Sequence, residues 1–379
     1  MKKKRNGHKK RYLDTPSSIK IRNFAAEYSN NPIFCLIGMK ALFVMNPISG
    51  SIKKSGVARL IDQYIDQEKF DYKIMYTERP GHATEIARQA SDDGYDVVVA
   101  VGGDGTLNEV GCGLLHSDTA LALLPCGSGN GLARHLSIPV NIKKSIDIIN
   151  AFNVHLLDYC MINEHPFFCT CGMGFDAFIS QKFAEGDQRG PLKYVENVLK
   201  EGLRYQPETY TIEDETGVHR YSAYLVSCAN ASQYGNNAYI APQASMSDGL
   251  LDVIVMEPFG ILDAAHVAFD LMNKTLNKSN KVKTFKTKKV LIHRRSEGPV
   301  HFDGDPMMPG KELEIRVVEK GIKMVCNAEA ENPSQNTPNA VQNAMCELFN
   351  DIADVNSSLT HQGRNLMAMN KRLWRKLTR

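Results

Sequence analysis

The sequence predicts an N-terminal doubly wound parallel α/β domain followed by a mainly antiparallel β-sandwich domain. Three observations carry this. Four strand–loop–helix units follow one another between Met39 and Leu136, and such succession gives a parallel sheet with helices on both faces. Their strands are near-continuous apolar runs, as expected of strands buried on both sides. After about residue 155 strand-like stretches dominate, with two helices among them.

The units run in order. KALFVM is the first strand, followed by the polar turn NPISGS and a helical stretch from Lys53 to Asp66. DYKIMY is the second, then TERPGHA and a helix to Ala90. YDVVVAV is the third, then GGDG and a helix from Thr106 to Leu115. ALALLP is the fourth, then CGSGNG and a helix from Leu132 to Leu136. Right-handed crossovers bring all four loops to the carboxyl edge of the sheet, where open α/β sheets bind ligands. The second domain is read from HPFFCTCGMGF, ETYTIEDE, SAYLVSCANA, GLLDVIVMEP, KKVLIHRR, PVHFDGD and ELEIRVV, with helices at Leu192–Tyr205 and Ile261–Leu276. Alternating short strands of this kind form a sandwich or a flattened barrel. The expected boundaries are a basic extension over 1–38, the α/β domain over 39–155, the sandwich over 156–327, and a linker with a helical basic tail over 328–379. Met39 is read as the biological start or as the start of the folded part.

Composition narrows the class. At 43% hydrophobic and 23% charged residues the chain reads as an ordinary globular protein. A net charge of +3 argues against a nucleic-acid binder. The nine cysteines are odd in number and scattered, without zinc-site spacing, which reads as reduced buried thiols in a cytoplasmic protein. The longest apolar candidate, Ile33–Met45, is too short to span a bilayer and carries Lys40.

The chemistry concentrates in the loops. In VVVAVGGDGTLNEV the glycines Gly102, Gly103 and Gly105 let the backbone approach a ligand, and the helix that follows favours phosphate. Asp104 would repel a nucleotide, so its place there makes sense if it binds Mg²⁺ or takes a proton from an attacking hydroxyl. LPCGSGNGLARHL is a second such loop, whose Ser128 and Asn130 can donate to phosphate or orient the first loop. MNPISGS, with Asn46, Pro47 and Ser49, is a third.

Taken in order and spacing, these strings resemble the diacylglycerol kinase catalytic family, which includes sphingosine and ceramide kinases and bacterial lipid kinases. The resemblance runs from about Lys40 to Cys326. It rests on Asn46-Pro47 with Ser49-Gly50, Thr77-Glu78 with His82-Ala83, Gly102 to Glu109, and Gly127 to Asn130. Further on it rests on Gly172-Met173-Gly174-Phe175-Asp176, Asp248-Gly249-Leu250 and Asp303-Gly304-Asp305. GSGN is closer to the sphingosine and ceramide kinase form than to the bacterial GTxND form. The resemblance implies ATP and Mg²⁺ in a cleft between the domains. Asn46, Pro47, Ser49, Thr77, the loop Gly102 to Thr106, Ser128 and Asn130 would handle the nucleotide, with Arg189 at its phosphates. Asp176 would meet the polar head of a lipid, and Asp248 with Leu250 would hold a cation. Sphingosine kinases assign the base to the position of Asp104. Bacterial relatives assign it to an Asp-Gly-Glu motif, here shortened to Asp303-Gly304-Asp305, so Asp104 leads and Asp303 and Asp305 remain partners for the role.

The expected activity is ATP-dependent phosphorylation of a lipid hydroxyl, on diacylglycerol or a sphingosine-like long-chain base. The enzyme would be cytoplasmic and work peripherally at a membrane surface, with a homodimer left open. Its basic N-terminus and the tail NKRLWRKLTR are the docking candidates. Domain closure is expected to hinge around residues 135–160. NAD kinase and an inactive nucleotide- or lipid-binding regulator are the alternatives.

Overall fold

A computed structural model describes residues 38–48, 54–178, 180 and 205–327. Its first four strands are β1 (Met39–Met45), β2 (Phe70–Tyr76), β3 (Val97–Gly102) and β4 (Ala120–Pro125). They are parallel, in the order β2-β1-β3-β4. Every residue of β3 and β4 is buried, as their unbroken apolar runs require. β1 pairs with β2 on one side and β3 on the other. The winding therefore reverses between β1 and β3, and a crevice opens at their carboxyl ends.

Helices α1 (Lys54–Tyr64), α2 (His82–Asp92), α3 (Asp104–Leu114), α4 (Gly131–His135) and α5 (Ile142–Ala151) join and follow these strands. The sequence reading passed over α5. It carried a local signal all the same. Asn141 accepts a bond from the Lys144 amide as N-cap, and Ile142, Ile146 and Ile149 form the buried stripe.

The second part adds β5 (Val154–Ile162), β6 (His165–Phe167), β7 (Thr170–Gly174), β8 (Glu208–Asp214), β9 (Gly217–Ala223) and β10 (Leu225–Ala229). After these come β11 (Leu251–Met256), α6 (Ile261–Met272), β12 (Val282–Thr287), β13 (Lys289–Arg294), β14 (Val300–Phe302), β15 (Asp305–Met307) and β16 (Glu312–Val325). The order β12-β11-β10-β7-β14-β15 makes one antiparallel sheet. Its inner face, with Cys171, Met173, Val226 and Val253, packs on Tyr210, Ile292, Leu313 and Ile315 of β8, β13 and β16. That is the expected sandwich.

The two parts share a sheet. β16 lies beside β4 in parallel, at Met324 and Leu121, and antiparallel to β13 and β5. The order β2-β1-β3-β4-β16-β13-β8-β9 is therefore continuous. β5 runs through the boundary expected at 155/156, and β16 crosses back near the end of the described chain. The reading ELEIRVV saw only the first half of β16, because Glu319, Lys320 and Gly321 interrupt its apolar alternation. The pairing shifts register at that interruption, between Val318 and Ile322. Of the helix expected at Leu192–Tyr205, residues 192–204 lie outside the described residues, as do the terminal segments, and Tyr205 itself is not helical.

Candidate active site

Two glycine loops meet at the crevice. A Cβ added to Gly127 would lie 2.5 Å from the Gly103 Cα, so the loops touch backbone to backbone. The second loop is stapled by Asn130, in the left-handed region at φ 52°. Its Oδ1 accepts from the Gly127 amide at 2.9 Å and its Nδ2 donates to the Gly127 carbonyl at 2.7 Å. Asn130 thus shapes the loop, and Ser128 is exposed at its tip. In the first loop the helical ladder begins with the Leu107 amide donating to the Gly103 carbonyl. The amides of Asp104, Gly105 and Thr106 precede it and can face an anion. Among the described residues the Thr106 hydroxyl, buried beside Gly102, has no hydrogen-bond partner. Asn46 follows β1 and its amide donates to the Val101 carbonyl across the switch point. Thr77 is buried at the end of β2 and Pro47 is exposed at the rim. Ser49 and Arg189 lie outside the described residues.

Three carboxylates close the site from both parts of the fold. Asp104 opens α3 and accepts from the Gly131 amide at 2.7 Å, tying the two loops together. Burial, then the charge of Asp303, pushes its carboxyl up to about 6, against the pull of the backbone amides at Gly131, Asn130 and Leu132. Asp303 and Gly304 form the two-residue turn between β14 and β15, with φ 48° and 91°. Both angles are positive, which an Asp-Gly pair accommodates. The turn drives the Asp303 carboxylate inward, where it accepts from the amides of Phe168, Cys169 and Thr170 and from Asn108 Nδ2, at 2.7–3.2 Å. Burial raises its pKa, and these donors oppose the rise. Asp305 is exposed and takes no hydrogen bond among the described residues. Its Oδ2 lies 3.5 Å from where a Gly105 Cβ would be, facing the head of α3. Partial desolvation, then the charges of Asp303 and Glu109, raises its pKa.

Asp176 stands on the outer face of the six-stranded sheet. His301 Nε2 lies 3.1 Å from its Oδ2 and the Tyr234 hydroxyl donates to the same oxygen at 3.0 Å. A carboxylate only accepts, so Nε2 carries the proton; the other ring nitrogen, Nδ1, is buried with no partner among the described residues. Tyr234 also reaches Ser227 Oγ at 3.3 Å, and its backbone packs on Gly129 and Gly131. Ser227 shares its sheet face with Leu225 and Ala229, part of an apolar cluster with Ile254, Met256 and Val267 of α6.

Asp248 and Leu250 share no hydrogen bond with the glycine loops. The cation at Asp248 is the Lys286 ammonium, 2.7 Å away, which also reaches Asp252 at 3.1 Å. Among the described residues no three His, Cys, Asp or Glu side chains converge as a metal cage. A magnesium ion arriving with nucleotide phosphates keeps most of its waters and needs only one or two protein carboxylates, not a cage.

The sequence reading missed Asn108, His301 and Tyr234. Asn108 is four residues after Asp104 on one helical face, a period that could have found it. His301 ends up opposite Asp176, 125 residues away in sequence, and no local pattern links the two. Tyr234 lies in an irregular stretch with no such period.

The site defines a class: two glycine loops of the kind that suit phosphate meet at a sheet switch point, and carboxylates from a second part of the fold face them. Residues 40–162 match the family model for the diacylglycerol kinase catalytic domain, and residues 169–326 that for the YegS C-terminal NAD kinase beta sandwich-like domain. The first part thus matches a diacylglycerol kinase catalytic domain and the second a YegS-type sandwich domain. It is 27% identical to a diacylglycerol kinase of Bacillus subtilis, over 73% of this chain and 93% of that protein. It is 26% identical to a diacylglycerol kinase of Staphylococcus saprophyticus, again over 73% and 93%. A crystal structure of a diacylglycerol kinase from Bacillus anthracis shares the fold at TM-score 0.61 and 23% identity, covering 77% of this chain and 98% of that one.

Proposed function

We propose that this protein transfers the γ-phosphoryl group of ATP to a hydroxyl of a lipid drawn from a membrane surface, either a diacylglycerol or a sphingosine-like long-chain base. The observation that carries this reading is the unpartnered Asp305 carboxylate facing Gly105 at the head of α3. Phosphoryl transfer needs donors at the phosphate, charge neutralisation and a proton acceptor in line. The amides of Asp104 to Thr106 bind phosphate oxygens, with Asn46 and Thr77 at the nucleotide rim. Asp305 takes the acceptor's hydroxyl proton, and Asp104 holds the two loops in register. Asp303 fixes the turn that carries Asp305. Asp176, oriented by His301 and Tyr234, hydrogen-bonds the polar head of the acceptor. Magnesium, when bound with the nucleotide, supplies positive charge to its phosphates. No helix among the described residues is long and apolar enough to cross a membrane, and peripheral docking would bring the acceptor to the site.

The test is transfer from radiolabelled ATP to vesicles containing diacylglycerol, a long-chain base or ceramide, run beside NAD. Labelled lipid is the expected product, and competition among the lipids names the acceptor. Label on NAD alone, or on nothing, overturns the proposal.

A further inference from the structure

Asp305 rides on a small support. β14 and β15 have three residues each, and β14 alone joins the hairpin to the sheet, through Val300, His301 and Phe302 against Met173, Gly172 and Cys171. β15 is a sheet edge. So short a ribbon does not hold its own geometry. Its tip is anchored, because Asp303 binds three amides and Asn108. Its base is not self-sufficient: the chain enters through Gly298-Pro299 and leaves through Pro309-Gly310. Proline has no amide to donate there.

Arg294, at the end of β13, fills that gap. Its side chain is buried, with the residue 7% exposed. Nη2 donates to the carbonyls of Gly298 at 2.8 Å, Pro309 at 3.0 Å and Gly310 at 3.0 Å. Nη1 reaches the Pro299 carbonyl at 3.4 Å, and Nε the Gly310 carbonyl at 3.3 Å. Two of these carbonyls precede β14 and two follow β15. Among the described residues Arg294 has no carboxylate in an ion pair, so the carbonyls are what compensate its burial. A planar fork with five donors can serve both ends of a hairpin at once; a lysine ammonium cannot.

We propose that Arg294 is a positioning residue for phosphoryl transfer: it clamps the base of the β14–β15 hairpin and so holds the Asp305 carboxylate against Gly105. This rests on the reading of Asp305 as the reacting carboxylate. With the tip fixed at Asp303 and the base at Arg294, β15 is stretched between two anchors. Release of the base frees the outer strand and leaves Asp303 in place.

The experiment compares wild type, Arg294→Met, Arg294→Lys, Asp305→Asn and the double variant Arg294→Met/Asp305→Asn. In Arg294→Met, kcat is expected to fall about 10- to 100-fold, with KM for ATP held within about twofold, because misplacement costs the chemical step. Arg294→Lys falls between it and wild type. Amide exchange rises over residues 305–310 and stays unchanged over 168–174. The double variant is no slower than Asp305→Asn, since a residue acting through Asp305 has nothing left to position. Additive losses, or an unchanged kcat in both Arg294 variants, overturn the proposal. Should Arg294→Met fail to bind ATP, Arg294→Lys decides; if both fail, Arg294 belongs to the fold at large and the proposal falls. A wild type that phosphorylates no lipid defeats the functional reading, while the exchange measurement still judges the clamp.

Discussion

Asp104, Asp303 and Asp305 are one kind of side chain in three surroundings. Asp303 meets four donors, Asp104 caps a neighbouring helix, and Asp305 meets none. The difference predicts how each responds to loss of its charge. Asp303→Asn turns an NH₂ toward backbone amides that need an acceptor. We expect it to cost about 3 kcal/mol or more, read as a lowered Tm. Asp305→Asn is expected to keep the wild-type Tm and lose about 10²- to 10⁴-fold in kcat, the range for removing a general base. The raised pKa of Asp104 has a definite sign. Its folded value of about 6 stands above the ordinary 3.8, so its contribution to stability is full below 3.8 and is lost as pH rises through about 6. Asp104→Asn should therefore melt above wild type at pH 8, with the gap closing toward pH 4; a constant gap would refute this. Activity runs the other way and should fall as pH drops through about 6, where Asp104 protonates; the raised pKa of Asp305 acts in the same direction. The sequence showed all three aspartates as site candidates. It did not show how they divide, because the amides of Phe168, Cys169 and Thr170 that claim Asp303 lie more than a hundred residues away.

At the scale of elements, the proposed phosphate site is two loops pressed together. Gly127→Ala would set a methyl 2.5 Å from the Gly103 Cα and 2.9 Å from Asn130 Oδ1. Backbone cannot yield as a side chain can, so we expect nucleotide binding and transfer to be lost together. Gly56 is the contrast. It lies in α1 with nothing within 4 Å of an added Cβ, and Gly56→Ala should stabilise the protein by up to about 1 kcal/mol through helix propensity, with activity kept. Calorimetry and nucleotide titration of the pair check both. These loops were legible because glycine, strand and helix signals coincide within a dozen residues. The hairpin base was not. Nothing local in Arg294 announces that its partners are carbonyls at 298–299 and 309–310. The lysines of edge strand β12 are a further case. Lys283 pairs with Glu257, and Lys286 with Asp248 and Asp252. They place charge along an otherwise open sheet edge.

For the molecule as a whole, the reading of an α/β part followed by a sandwich gave the right architecture, and its junction was the hard part. Strand pairing between β16 and β4 joins residues some two hundred positions apart, and no window of sequence contains both. Since one sheet runs through both parts, unfolding is expected as a single calorimetric transition with matching calorimetric and van't Hoff enthalpies. Two resolved transitions would show that the parts melt apart. The same continuity would bear on any hinge near 135–160, because β16 recrosses between the parts and would have to flex too. Its register shift between Val318 and Ile322 is the natural place.

Of the described strands, the one that flanks β4 is made last. On the ribosome the first four strands emerge long before β16, and until residue 325 has left the exit tunnel β4 shows an open, fully apolar edge. An exposed edge of that kind pairs with whatever strand arrives first. A nascent chain paused before β16 should therefore be a strong client for chaperones, and early termination should yield aggregates rather than a smaller nucleotide-binding domain.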